Sequence, residues 1–278
     1  MIDVLLATCR PDPGMLKAQL ESIRAQRGVE VNLIRREDAG GDGARGNFAA
    51  LLEMSGAEYA AFADQDDVWM DDKLERSLAK MRELEERWGR DVPLLVYTDA
   101  TVVDRDLRPL DGSLFHRISV DPLRTRPEQL VMQNVAYGNT MLMNAALRRL
   151  AAPVPEKAFM HDSWVMLVAS VFGKTCFLAE PTLLYRQHGG NAIGGRRVSP
   201  GYYFGLAARG VRALRERLYA NVRQAEAFVE RYGDASPLAL RALVGIDRRA
   251  WPVRAWTLLG HGIRKNGLLR NLGMLLAI

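Results

Sequence analysis

Residues 59–69 read Tyr59-Ala60-Ala61-Phe62-Ala63-Asp64-Gln65-Asp66-Asp67-Val68-Trp69. The apolar run 59–62 predicts a buried strand, and the three carboxylates after it lie at that strand's carboxyl end. In open α/β sheets this is the end where ligands bind. Carboxylates a few ångströms apart raise one another's pKa unless a cation lies among them. An all-oxygen set suits a hard ion, Mg²⁺ or Mn²⁺, held by one or two carboxylates and by the phosphates of a substrate. The alternative reading is an Asp-rich turn that caps a helix starting near Met70.

Outward from this stretch, strands and helices alternate. Residues 2–7 are apolar and enter Thr8-Cys9-Arg10-Pro11-Asp12-Pro13, a strand followed by a loop. Met15, Leu16, Leu20 and Ile23 recur at helical spacing, with Gly28 beyond them. Residues 29–34 are the next strand, 48–54 a helix, 73–88 a charged amphipathic helix, and 94–103 a strand ended by the turn cluster 106–113. Residues 164–173 read as a buried helix. The alternation predicts an open α/β sheet, mostly parallel and flanked by helices.

After the glycine-rich stretch 189–195 the character changes. Val211, Leu214, Leu218, Val222, Ala225 and Val229 step by three and four, as one apolar helix face does. Trp251, Trp256, Leu258, Leu259 and Ile263, then residues 268–278, mix aromatic, aliphatic and basic groups as an interfacial helix would. Helices that simply pack on the body are the alternative, because an apolar face looks the same against protein or lipid. The chain thus divides into residues 1–195 and a basic helical extension, 196–278.

Composition bounds the possibilities. With 278 residues, 48% of them hydrophobic, the chain can bury one large core with or without an appendage. The first residues lack a secretory-signal pattern, and no apolar run reaches the roughly 18–20 residues that span a bilayer. Cys9 and Cys176 alone cannot supply a disulfide framework or a cysteine zinc site. A reducing, cytosolic compartment is expected. From Arg196 onward 15 basic residues face 5 acidic ones, whereas residues 1–195 carry 23 basic and 28 acidic. An acidic body suits metal and hydroxyl-rich ligands; a basic tail suits phosphates or an anionic surface. Basic helices without a recognised module do not point to nucleic acid.

The string ADQDDVWMDDKLE resembles the Asp-x-Asp region of inverting family 2 glycosyltransferases of the GT-A fold, particularly the rhamnosyltransferase-like members that build bacterial surface polysaccharides. LLATCRPDPGMLKAQLESIRAQ is similar to that family's first strand, nucleotide-facing turn and first helix. GNFAALLE, VYTDATVVD, YGNTMLMN, MHDSWV and YRQHGGN follow in the family's order, so the likeness covers about residues 1–195. It implies an enzyme moving a sugar such as rhamnose from a nucleoside-diphosphate donor to a saccharide or lipid-linked acceptor. The basic charge and apolar helix faces of residues 196–278 lead to the expectation that this extension holds the enzyme peripherally on the cytoplasmic membrane face.

The resemblance also assigns roles. Asp66 would bind the metal, Asp64 the metal or ribose, and Asp67 would orient the loop or donor sugar. Thr8 and Arg10 would face the nucleotide, as would Glu37 and Asp38. His188 would reach the diphosphate or metal, assisted by Arg186. Asn134, Gly138, Thr140 and Trp164 would line the acceptor side. Asp162, in Met160-His161-Asp162-Ser163-Trp164, would be the base that deprotonates the acceptor hydroxyl. At the start of an apolar helix and beside an aromatic, it is both dipole-stabilised and desolvated, with opposite effects on its pKa. An N-cap role for Asp162, and His161 as base, are the alternatives.

One stretch departs from the family pattern. Only 20 residues, 27–46, separate Gln26 from Asn47, and a parallel crossover alone takes about a dozen. Two strands and a full helix therefore cannot fit. Either Glu37-Asp38-Ala39-Gly40 is a shortened nucleotide loop, or that loop is missing. This leaves open a catalytically impaired binding subunit. A sugar-nucleotide nucleotidyltransferase would need a glycine-rich phosphate loop where residues 8–14 offer one glycine.

Overall fold

Seven consecutive buried residues make β1 (Ile2–Thr8) the centre of the structure, a central strand covered on both faces. The computed structural model describes residues 1–38, 40–187 and 210–278. Helix α1 (Pro13–Arg24) starts where Asp12 accepts from the backbone N–H groups of Gly14 and Met15, satisfying two otherwise orphaned donors. The chain returns as β2 (Val31–Glu37), parallel to β1 with Thr8 opposite Glu37. It then passes directly through a short loop into α2 (Gly43–Met54). One strand and the first helical turn occupy the 27–46 stretch, in keeping with its length.

β3 (Tyr59–Ala63) pairs parallel with β1 on its other side and is buried throughout. β4 (Val68–Trp69), α3 (Lys73–Trp88), β5 (Leu94–Val103) and β6 (Pro109–Asp111) follow. Short helices α4 (Leu114–Ile118) and α5 (Pro127–Leu130) lead through a 3-10 turn, Gly138–Thr140, to β7 (Met141–Asn144). After α6 (Ala145–Ala151) and α7 (His161–Phe172) comes the long β8 (Lys174–Arg186).

The sheet order is β2-β1-β3-β7-β5-β8-β4, with β6 at the side of β5. β7 is antiparallel to both β3 and β5, so those two run the same way, and β8 is parallel to β5. Five strands, β1, β2, β3, β5 and β8, therefore end at one edge, and their carboxyl ends define the site. The open, mostly parallel α/β sheet expected from the sequence is present.

The carboxylate of Asp3, 1% exposed, clamps this sheet. It accepts from Ser55, Gly56, Ala57 and the Asn32 amide. Burial works against its charge, but these bonds outweigh it and hold its carboxyl below the ordinary range.

Beyond the sheet lie α8 (Gly210–Tyr232), α9 (Leu238–Leu243), α10 (Trp251–Gly260) and α11 (Leu268–Ala277). Leu218, Val222, Ala225 and Phe228 of α8 are buried in the same core as the sheet. Its apolar face is thus a packing face, and the extension is a layer of the same body. Among the described residues no helix is long and apolar enough to cross a membrane.

Candidate active site

The aspartate turn at the end of β3 is tied down on three sides. Gln65 reaches across to β1, where its Oε1 accepts from Cys9 N at 2.8 Å and its Nε2 donates to Cys9 O at 3.2 Å. Asp67 is fully buried, accepting from the Asn139 amide and from Arg186 N at 3.1 Å. The Arg186 guanidinium donates to the backbone carbonyls of Asp66, at 2.7 Å, and of Arg105. Residues from β1, β8 and the turn before β7 thus hold one loop, as precise ligand placement requires.

Burial, with the neighbouring Asp66 charge, pushes the Asp67 carboxyl up to about 7. Beneath the turn lies Lys73, 1% exposed, its Nζ 3.4 Å from Thr182 Oγ1 and 5.0 Å from the Trp69 ring. Its burial drives its pKa down to about 7, while the Asp67 charge opposes that shift. When protonated, Lys73 offsets part of the charge on the aspartate turn.

Asp64 is raised well above the ordinary carboxylate range, first by burial and then by the charges of Asp67, Asp66 and Asp162. That interaction links the aspartate turn to α7, so the structure brings Asp162 to the site. Asp162 Oδ1 accepts from Ser163 N, and its Oδ2 accepts from Gly138 N at 3.2 Å. Burial nevertheless lifts its carboxyl to about 6, above what these bonds lower. This value suits a general base near neutral pH. Asp162 lies in the first turn of α7, and the preceding Met160 makes no side-chain cap.

The neighbouring His161 is a plug. It stacks on Phe48 at 4.0 Å between ring centroids and meets Phe62 edge-on at 4.7 Å. Among the described residues neither ring nitrogen has a hydrogen-bond partner, and burial depresses its pKa to about 3. A neutral imidazole sealed between aromatic rings does not fit the alternative of His161 as base.

The donor set fits a hard divalent ion. The charges acting on Asp64 are all of its own sign, and oxygen-only carboxylates are what such an ion selects. Asp66 and Asp64 are the residues that would hold it. Among the described residues no three His, Cys, Asp or Glu side chains are already gathered as a complete cage. Mg²⁺ commonly takes only one or two carboxylates and completes its shell from phosphates and water. His188 lies outside the described residues.

Other residues expected at the site are placed differently. Arg186, 5% exposed, straps the turn through the backbone carbonyls of Asp66 and Arg105. Asp38 spends its carboxylate on its own loop, accepting from Gly40, Gly41, Asp42 and Gly43, which hold its pKa low. In this arrangement Asp38 staples its own loop. Thr8, 1% exposed, directs its hydroxyl to Arg36 O. Glu37 and Arg10 are exposed at the same sheet edge, and Arg10 has the positive φ of 42°.

On the acceptor side, Trp164 is fully buried. Its indole donates to Ala151 O at 2.8 Å, and its ring lies 5.6 Å from Phe228. No acceptor can reach it, so it anchors α7 in the core. Thr140 is likewise buried and bonds to Tyr137 O, closing the 3-10 turn. Asn134 closes its own turn with Ala136. Of this set Gly138 bonds directly to Asp162.

Three positions with no role expected from the sequence prove central. Asn47 clasps β1 and β2 through Thr8 O and Arg36 O; Asn139 holds Asp67; Lys73 lies beneath the turn. Asn47 and Asn139 fall inside strings already singled out, but only their partners reveal what they do. A hollow of about 430 Å³, bordered by Asp99, Phe115, His116 and Phe177 among others, is lined by none of Asp64, Asp66, Asp67 and Asp162. Its Asp99 carboxylate is already bonded to Ser113, Leu114 and Ala100.

No family model matches the chain. The amylovoran biosynthesis glycosyltransferase AmsB of Erwinia amylovora is 22% identical over 204 residues, covering 69% of this chain and 64% of AmsB. The chain thus spans just under two thirds of that relative. S. aureus TarS 1–349, solved in complex with UDP-GlcNAc, matches with a TM-score of 0.53 at 14% identity, over 94% of this chain and 88% of that one. The mannosyltransferase PcManGT from Pyrobaculum calidifontis, solved with GDP-Man and Mn²⁺, matches with a TM-score of 0.51 at 13% identity, over 99% and 85%. The mixed α/β sheet flanked by helices is therefore a fold this chain shares with two proteins solved with nucleotide sugars.

Proposed function

We propose that this protein is an inverting glycosyltransferase of the family 2, rhamnosyltransferase-like kind, moving a sugar from a nucleoside diphosphate to a saccharide or lipid-linked acceptor in surface polysaccharide synthesis. The observation that carries the reading is that adjacent residues Gly138 and Asn139 hold Asp162 and Asp67 in turn, drawing Asp162 to the aspartate turn at the carboxyl edge of the sheet. Asp162 takes the proton of the acceptor hydroxyl, and that oxygen attacks the anomeric carbon as the bond to the diphosphate breaks. The nucleoside diphosphate leaves from the opposite face, which inverts the centre. Asp66 and Asp64 would hold Mg²⁺ or Mn²⁺, which when bound neutralises charge on the leaving diphosphate. Arg10 and Glu37 at the sheet edge would meet the nucleotide.

Rhamnose is the sugar the sequence resemblance favours. The excess of basic residues in the C-terminal section supports peripheral attachment to the cytoplasmic membrane face, where a lipid-linked acceptor would be anchored. A second reading, a catalytically impaired binding subunit, draws on the short 38–42 loop and on the closed hydrogen-bonding of Asp38.

A panel of nucleotide sugars, offered with mixed saccharide and lipid-linked acceptors, tests the proposal by release of nucleoside diphosphate. Release with at least one donor, abolished by EDTA, is expected. No release with any donor, while nucleotide binding persists, would favour the impaired subunit.

A further inference from the structure

The basic extension divides structurally into two parts that face different surroundings. α8 spends its apolar face on the core. α10 and α11 each have two apolar faces. Inward, Leu258, Met274 and Ala277 are buried. Outward, Trp256 and Leu259 on α10 and Leu268, Leu269, Leu272 and Leu276 on α11 are exposed, Trp256 at 75% and Leu268 at 74%. Leu268, Leu272 and Leu276 recur at steps of four, with Leu269 three before Leu272, and so form one stripe. The Trp251 indole donates to Leu275 O at 3.0 Å, joining the two helices at one end.

Exposed apolar side chains gathered on two helices that are joined at one end mark an interaction site. The charge around it selects the partner. Residues 236–278 contain seven Arg or Lys against the single acid Asp247. Arg248 and Arg249 are exposed immediately before α10, and Arg264 is exposed between the two helices. Each helix has 10 residues, about 15 Å of length against a hydrocarbon core of about 30 Å. Neither can span a bilayer, but both can lie in its interface.

We propose that α10 and α11 form a monotopic dock for an anionic lipid surface, seated in the bilayer plane through Trp256 of α10 and the Leu268, Leu272 and Leu276 stripe of α11, with Arg248, Arg249 and Arg264 at the headgroups. The proposal deepens the peripheral attachment offered above and rests on that reading. It is independent of glycosyl transfer, since neither helix supplies a residue to the aspartate site.

The test uses the full chain with vesicles of phosphatidylcholine alone and of phosphatidylcholine with about one third phosphatidylglycerol. Sedimentation is compared for the native protein, Trp256→Glu/Leu272→Glu, and Arg248→Gln/Arg249→Gln/Arg264→Gln. All five positions are exposed, and thermal melting verifies that each variant folds. The native protein should sediment with anionic vesicles, with tryptophan emission shifted to the blue. The apolar-stripe variant should lose about tenfold or more of its partitioning. The charge variant should bind neutral and anionic vesicles alike, and salt should weaken native binding without abolishing it. Equal sedimentation of native and stripe variant, or none by the native protein, overturns the dock. A native dimer that the stripe variant converts to monomer, without vesicle binding, would instead assign this face to a second copy. Nucleoside diphosphate release with a soluble acceptor should be unchanged in both variants. Its absence from native protein that still binds vesicles would defeat the transferase reading and leave the dock standing.

Discussion

The backbone N–H of Gly138 donates to Oδ2 of Asp162 at 3.2 Å, joining the turn before β7 to the first turn of α7. A methyl group at Gly138 would lie 2.7 Å from His161 Nε2 and 3.6 Å from Asp162 Cβ. His161 is wedged between Phe48 and Phe62 and cannot retreat freely. Gly138→Ala should therefore move the base and slow transfer by about 10²-fold, the scale of a 1 Å misplacement. Donor affinity should stay near native. Steady-state kinetics separate the two, and an unchanged kcat would mean that the turn yields without moving Asp162.

Asp162→Asn should lower the transfer rate on the order of 10²- to 10⁴-fold with donor binding preserved. In the native enzyme the base must be ionised, so activity should fall as pH drops through about 6. Stability has the opposite sign. Burial raises the folded pKa above the unfolded value of about 3.9, so the folded state holds the proton more tightly. Stability from this group is full below about pH 4 and is lost as pH rises to about 6. The native melting temperature minus that of Asp162→Asn should therefore decrease between those two values, and a flat difference would remove the pKa assignment.

Arg186 joins Asp66 O to Arg105 O, two acceptors that a single ammonium would not span in the same way. Arg186→Lys should loosen the aspartate turn and weaken Mn²⁺-dependent nucleotide binding by about 10- to 100-fold, as loss of supporting contacts does at metal sites. Native affinity in this variant would show that Asn139 and Gln65 suffice to hold the turn.

Asp3 lies at the far end of β1 from the site, and its removal should affect folding. Asp3→Ala leaves the buried donors of Ser55 and Ala57, and the N–H of Gly56, without their acceptor and should cost about 2–4 kcal/mol. Because the folded pKa is depressed, its contribution is present above about pH 4 and is lost as pH falls through the lower folded value. Urea denaturation at pH 7 and pH 3 should show the deficit shrinking in acid.

Much of this architecture was legible in the sequence because burial writes itself as apolar runs. β1, β3 and α7 read directly, and the aspartates after β3 stood out as charge where the sheet ends. Other elements were masked by their environment. β2 continues through Arg35, Arg36 and Glu37 because an edge strand tolerates charge. The first turn of α2 contains Gly43 and Gly46, poor helix formers. β8 begins and ends in basic residues, contains Pro181 and crosses register shifts, so no clean alternation marks it. At the site, charge revealed the aspartates, but Arg186 and Asn139 act through contacts set by distant chain segments. Trp164 read as an acceptor contact because proximity in sequence to Asp162 does not show that its ring turns into the core. The outward face of α10 and α11 was equally hidden, since a helix apolar on two sides does not declare which side is covered.

Calorimetric titration of nucleoside diphosphates with Mn²⁺ into native protein, Asp66→Asn and Asp162→Asn tests the central claim most directly. At least one nucleotide should bind the native protein and Asp162→Asn with similar affinity, and binding should be lost in Asp66→Asn or with EDTA. Binding that survives Asp66→Asn unchanged, or no binding of any nucleotide to native protein, would contradict a metal-assisted nucleotide-sugar site at the end of β3.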